Sequence, residues 1–344
     1  MTPERRLLWF RRLARAGALL AAGVVVLGAW VRLTNAGLGC PDWPGCYGHL
    51  FPQNAHHFAE AVHEMVHRYF ASSLIAIIVA LLAFAWVNRR VRGQPLTAVL
   101  LLFLLVCLQA ALGMKTVTLL LQPLIVTAHL LGGLSTLAVL WWLSIEPRRR
   151  PLTPLELSLR KFALLAFGAL ALQIFLGGWT SSNYAAIACP DLPTCQRSWW
   201  PDMDFRGAFV LWRGLGVDYE GGVLASPARV AIHFTHRLGA LIAGSVLIAT
   251  GLLVVARSAW PPLRFLGGLL VLAVLLQISI GVAMVHFHMP LALATLHNAG
   301  AAFLAIVTVT LLRTLWPRAL EAAPAGSPEP AAGMVPLRRV DAPR

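Results

Sequence analysis

Four histidines, His67, His129, His236 and His297, stand inside long apolar runs of the chain. Ionisable side chains are costly in hydrocarbon, so residues of this kind within spans are functional by default. A lone intramembrane histidine often only bonds a neighbouring helix; two pairs repeated in register point to ligation. Two imidazoles on facing helices of a four-helix bundle make a natural axial pair for a haem iron, and the bundle supplies a dry slot for the macrocycle. Arg68 and Arg237 follow the first histidine of each pair. Their guanidiniums could meet haem propionates through charge-assisted hydrogen bonds, or simply snorkel to the helix end. Glu64 lies three residues before His67 and shares its helix face. Its counterpart before His236 is His233. A carboxylate in one half alone places proton chemistry there; the plainer reading is a rim carboxylate in contact with water.

Other residues are weighed against these. HEMVH at 63–67 fits H-E-x-x-H, a zinc protease pattern, but the aligned string IHFTH at 232–236 repeats neither His63 nor Glu64, and the protease reading is set aside. Cys40 and Cys46, in GCPDWPGC, match Cys189 and Cys195, in ACPDLPTC, at an offset of 149 residues. On an oxidising face both pairs read as structural disulfides, with a redox role for Cys40 and Cys46, or zinc, as alternatives. Cys107 reads as a packing residue in mid-span. His56, His57, His286 and His288 read as solvated.

The elements that must position these groups are membrane helices. The chain of 344 residues is 58% hydrophobic and only 12% charged, against about 25% charge in soluble domains. Eight apolar runs are each long enough to cross a bilayer: 14–34, 64–88, 95–116, 122–145, 160–180, 228–256, 262–285 and 290–316. The first follows a basic stretch, as in a signal peptide, but no cleavage site follows its apolar core, so it reads as a retained helix. An even number of spans puts both termini on one side. That side carries 20 of the 28 Lys and Arg but 6 of the 14 acids, so the whole net charge of +14 lies there. The positive-inside rule makes it cytoplasmic and leaves the cysteine loops, near 35–63 and 181–227, outside. Membrane topology thus accounts for the basic charge, and nucleic acid is not needed.

The halves repeat. VHRYFAS from Val66 aligns with THRLGAL from Thr235, LQAALG from Leu108 with LQISIG from Leu276, and TAHLLG from Thr127 with TLHNAG from Thr295. With the cysteine strings these are four ordered matches, a signature of duplication. The expected fold is therefore all-α and polytopic, two duplicated four-helix bundles related by an axis along the membrane normal. The organisation reads as a basic cytoplasmic tail at 1–13, a first half at 14–145, a cytoplasmic linker at 146–159, a second half at 160–316 and a disordered tail at 317–344. His67 and His236 are expected about one turn inside their outer helix ends, and His129 and His297 about two.

At this point the chain resembles the haem A synthase family, the bacterial relatives of a mitochondrial cytochrome oxidase assembly factor. The motifs that carry the resemblance are VRLTNAGLGCPDWPGC at 31–46, E-x-x-H-R at 64–68, TAHLLGG at 127–133 and the HR and TLHN motifs of the second half. The resemblance implies oxidation of the C8 methyl of haem O to the formyl of haem A, by two hydroxylations and loss of water. It implies a permanent haem b on His236 and His297 and substrate haem on His67 and His129, with Glu64 near the reacting edge. A haem O synthase, cytochrome oxidase assembly proteins and an electron donor or acceptor are the expected partners. The rival readings are a bis-histidine dihaem cytochrome oxidising quinol, and a duplicated transporter whose histidines relay protons.

Overall fold

The computed structural model describes residues 2–53, 55, 57–147 and 151–316. Among these, eight helices are long and apolar enough to cross a membrane. They are α1 (Pro3–Leu33), α2 (Phe58–Val87), α3 (Leu96–Thr118), α4 (Pro123–Ser144), α5 (Pro154–Ser182), α7 (Ser226–Arg257), α8 (Pro261–His286) and α9 (Leu291–Leu315), with a single turn, α6 (Phe205–Ala208), in the second long loop. All-helical spans are what a bilayer demands of a chain that must satisfy its backbone internally.

Several ends differ from expectation. Residues 3–13 are not a tail but the first turns of α1. Thr2 caps the helix, Pro3 opens it and Glu4 sits in its first turn, each favourable at an N-terminus. Arginines of this segment and of the next turn then bind the ends of other helices: Arg6 donates to Asn88 (3.0 Å), Arg11 pairs with Glu146 (3.2 Å), and Arg15 donates to the Ser144 carbonyl (3.4 Å). The linker becomes helix at Pro154, where Thr153 and Glu156 form a reciprocal capping box. α2 starts at Phe58, so His67 sits about two and a half turns inside its helix and not one; α7 likewise starts at Ser226, well before His236. The expected tail at 317–344 lies outside the described residues.

In the first half α1 packs on α2 and α4, α2 on α3, and α3 on α4; in the second, α5 packs on α7 and α9, α7 on α8, and α8 on α9. Each half is thus a ring of four helices with the same order of neighbours. Small residues on α1 (Ala14, Ala18, Ala21) let it approach Ile78 and Leu140 in the first core, the close contact that membrane helices favour. Leu101, Leu104, Leu241 and Phe265 stay exposed on outward faces, where lipid is their solvent. The halves meet through α1 on α9, α4 on α5 and α4 on α9. Polar bonds cross this seam: Trp141 Nε1 to Thr310 (2.8 Å), Thr127 with Ser182 (3.1 Å), and Arg32 to the Ser181 carbonyl (2.9 Å).

Both cysteine pairs are disulfides, Cys40–Cys46 and Cys189–Cys195. Cys107 is free and exposed, facing outward from α3 and not packed in the bundle as expected. Thiol labelling after denaturation without reductant should therefore modify Cys107 alone; three or five labelled thiols would contradict at least one pair.

Candidate functional site

Each of the four histidine rings lies against a glycine of the neighbouring helix. A Cβ on Gly28 of α1 would stand 2.8 Å from His67 Cε1, and one on Gly113 of α3 would stand 3.3 Å from His129 Cε1. In the second half Gly177 of α5 faces His236 and Gly281 of α8 faces His297, both at 3.1 Å. The glycines are notches that admit an imidazole between two helices. His67 on α2 and His129 on α4 stand on opposite helices of the first ring, and His236 on α7 and His297 on α9 on opposite helices of the second, the pairing expected from the sequence. The Nδ1 atoms of His67, His129 and His297 are buried without a hydrogen-bond partner. The Gln109 backbone carbonyl lies beside the His129 ring, and His236 Nδ1 meets the Gln173 side-chain nitrogen at 3.1 Å. Partly buried imidazoles on opposite helices of one ring are what an axially ligated haem requires, and these residues fit one.

The glycine notches were not singled out from the sequence. Their signal was present: Gly113 and Gly281 end the repeated LQ-x-x-x-G strings, and Gly28 and Gly177 are related by the same 149-residue offset as the cysteines.

Outside each pair the disulfide loop folds onto the helix end in the same way twice. Asp42 accepts from the Tyr47 and Gly48 amides (2.6 and 2.8 Å), and Asp191 from Gln196 and Arg197 (2.6 and 3.0 Å). Asp191 also accepts from the Thr194 hydroxyl. The Gly48 amide, chiefly, holds the Asp42 carboxyl below the ordinary carboxylate range, and the Thr194 hydroxyl does so for Asp191. A depressed carboxyl fastens the turn at neutral pH and releases it only as pH falls through the lowered value.

The arginines do something other than expected. Arg68 donates to the carbonyls of Asp42 (2.9 Å), Pro44 (3.3 Å) and Gly45 (2.5 Å). Arg237 donates to those of Cys189 (2.6 Å), Asp191 (2.9 Å) and Thr194 (2.9 Å). Both guanidiniums pin their loop, in addition to whatever anion they meet at the helix end. The helix residue four positions earlier completes the clamp. Glu64, 5% exposed, accepts from the Cys40 amide (2.9 Å) and from Arg68 (2.5 Å). His233 lies 3.3 Å from the Cys189 amide and 3.3 Å from Arg237 Nε. A carboxylate accepts both bonds at once, whereas a neutral imidazole has one acceptor nitrogen. The two halves therefore share a clamp of unequal strength. Glu64 is a buried, paired carboxylate and not a solvated rim residue.

The remaining candidates are peripheral. The His63 ring meets Trp30 edge-on, 6.4 Å away, and among the described residues no group of three or more His, Cys, Asp or Glu is placed to hold a bare metal ion. His57, His286 and His288 are exposed; His56 lies outside the described residues.

The model of the COX15-CtaA family, described as cytochrome oxidase assembly protein, matches residues 11–309. The chain belongs to this family. Relatives in the same comparison are called Heme A synthase. That of Shewanella oneidensis is 39% identical over 329 residues, 90% of this chain and 97% of that protein. That of Halalkalibacterium halodurans is 27% identical over 303 residues, 83% and 91% of the two chains. That of Rhizorhabdus wittichii is 25% identical over 326 residues, 83% and 88%. The family match spans both histidine pairs and both disulfide loops.

The notches make a prediction about this family fold. Gly177→Val or Gly281→Val should displace its imidazole and strip b-type absorbance from the purified protein. Gly168→Val and Gly268→Val, where nothing lies within 4 Å, should keep it. Equal absorbance in all four would contradict the notch reading.

Proposed function

We propose that the chain is a haem A synthase: an oxidoreductase of the cell membrane that converts the C8 methyl of haem O to the formyl of haem A for cytochrome oxidase biogenesis. The family match over both halves carries the reading, with the relative of the same printed name that is 39% identical over 90% of the chain. The site supports it through two paired-histidine frames that differ in one acid. In this reading the termini are cytoplasmic and the disulfide loops face outward, in accord with the basic charge on the opposite ends. Haem O is the substrate; a haem O synthase, oxidase assembly proteins and an electron partner are the expected associates.

His236 and His297 hold the resident haem b by its iron. Haem b, when bound, supplies one-electron chemistry to the membrane domain. His67 and His129 hold the substrate haem in the first half, the Gly28 and Gly113 notches setting where each ring stands. The clamped loop, with its disulfide, Arg68 and Glu64, covers the outer end of that bundle and keeps water out. Glu64 is the one acid among the paired groups of the two frames. Its carboxylate takes the proton from one hydroxyl of the geminal diol and returns it to the other, which leaves as water and so yields the formyl group.

Two variants separate acid from clamp. Glu64→Gln removes the charge, and Glu64→His installs the residue that already clamps the second loop. Both should retain haem b and membrane expression while making little haem A, with haem O or its hydroxylated form accumulating in a strain that supplies haem O. Chromatography of extracted haems reads the result. Wild-type haem A in Glu64→His would reduce Glu64 to a loop clamp like His233. In parallel, His236→Ala and His297→Ala should each lose the b-type spectrum; full absorbance in both would remove haem b from this pair.

A further inference from the structure

Three of the four histidines share a feature that the fourth lacks. Four residues before its glycine notch, the neighbouring helix carries a glutamine: Gln109 before Gly113, Gln173 before Gly177, and Gln277 before Gly281. Three residues after the histidine, its own helix carries a glycine: Gly132, Gly239 and Gly300. Each glutamine lies across that glycine. A Cβ there would stand 1.7 Å from Gln109 Nε2, 2.4 Å from Gln173 Oε1 and 2.0 Å from Gln277 Oε1, so only glycine admits the amide. In the second half the amide then bonds the helix turn that carries the ligand. Gln173 Nε2 donates to the His236 carbonyl (3.0 Å) and Gln277 Nε2 to the His297 carbonyl (2.9 Å). These carbonyls have a second lone pair beyond the one the helix uses. Gln109 lies across the same glycine position, but its amide is turned the other way: the nitrogen faces Gly132 and makes no hydrogen bond.

At His67 both parts are replaced together. Val24 stands four residues before Gly28, and Phe70 stands three after His67. Valine has no donor, and Phe70, 47% exposed, turns outward. The frames thus run from two bonded latches in the second half to one unbonded and one missing in the first. A hydrogen bond from a side-chain amide across two helices in lipid must break before the turn that bears the imidazole can shift, and hydrocarbon offers no water to replace it.

We propose that Gln173 and Gln277 are positioning residues that lock the imidazoles of the resident haem site. The absence of this latch at His67 makes that histidine the axial group that yields as substrate haem enters and product leaves. The inference rests on the reading that His236 and His297 hold resident haem b and that His67 and His129 hold the substrate.

The test follows release of haem b from the purified full chain to excess apomyoglobin, read by the change in Soret absorbance. Gln173→Met and Gln277→Met keep side-chain volume and lose the donor. Each should release haem b about five- to tenfold faster than wild type, the range expected for one hydrogen bond. The double variant should be faster still, and Gln173→Leu and Gln277→Leu should match the Met variants. Wild-type rates in both Met variants would overturn the proposal, as would acceleration by leucine alone, which would show a space-filling role. In the converse direction, Val24→Gln with Phe70→Gly should slow loss of extractable haem O or haem A by a similar factor, and unchanged loss would count against it. If wild-type protein holds no haem that His236→Ala removes, the resident-site reading fails and the latch with it. If it holds that haem and the Met variants release it normally, the latch alone fails.

Discussion

An imidazole inside a bilayer needs two things at once: room between helices and an answer to its polar atoms. Hydrocarbon supplies neither, so the surrounding helices must. The room comes from four glycines placed opposite the four rings. Close helix approach through small residues is ordinary in membrane bundles; here it is used to seat a side chain. The position of each ring between its two helices depends on that contact. Filling a notch would move the imidazole and, in the proposed function, the group that ligates the iron.

The second organising element is the clamp above each pair. A short disulfide loop is pinned by an arginine and by the side chain one turn before it in both halves, with two of the three arginine-bound carbonyls at matching positions. The two clamps differ in one residue. Glu64 accepts two hydrogen bonds and carries charge opposite to Arg68; His233 accepts one at a time and carries none when neutral. Asymmetry of chemistry and asymmetry of structure therefore meet at a single position. The histidine that follows Glu64 is also the one without a glutamine latch, so the acid and the missing latch both stand at His67, while the unbonded Gln109 stands at His129.

Much of this was legible in the sequence because hydrophobic length and internal repetition are strong signals. Eight spans, the paired histidines and the matched cysteine loops follow from apolar runs and from strings such as LQAALG and LQISIG. The misplaced features are those that periodicity does not encode. Residues 3–13 are helical because of Thr2, Pro3 and tertiary bonds from Arg6, Arg11 and Arg15, none of which registers as an apolar run. That Arg68 and Arg237 also fasten the cysteine loops was not legible because those loops are remote in sequence. Cys107 looked buried because it sits in mid-span, but in a membrane protein the middle of a helix has a lipid face. The glycine notches stood in the repeated strings, yet a glycine's role depends on what lies across from it, which only the packed bundle shows.

The central claim is that one bundle holds a permanent haem and the other a haem undergoing oxidation. The haem content of the wild-type chain, purified from a strain that supplies haem O and has no other route to haem A, tests this most directly. The account predicts haem b near one per chain together with haem O, its hydroxylated form or haem A in the same preparation. Two haem b per chain with no haem O or haem A would make the protein an electron-carrying cytochrome, and an absence of haem would leave the duplicated frame to a transporter; either result would contradict the account.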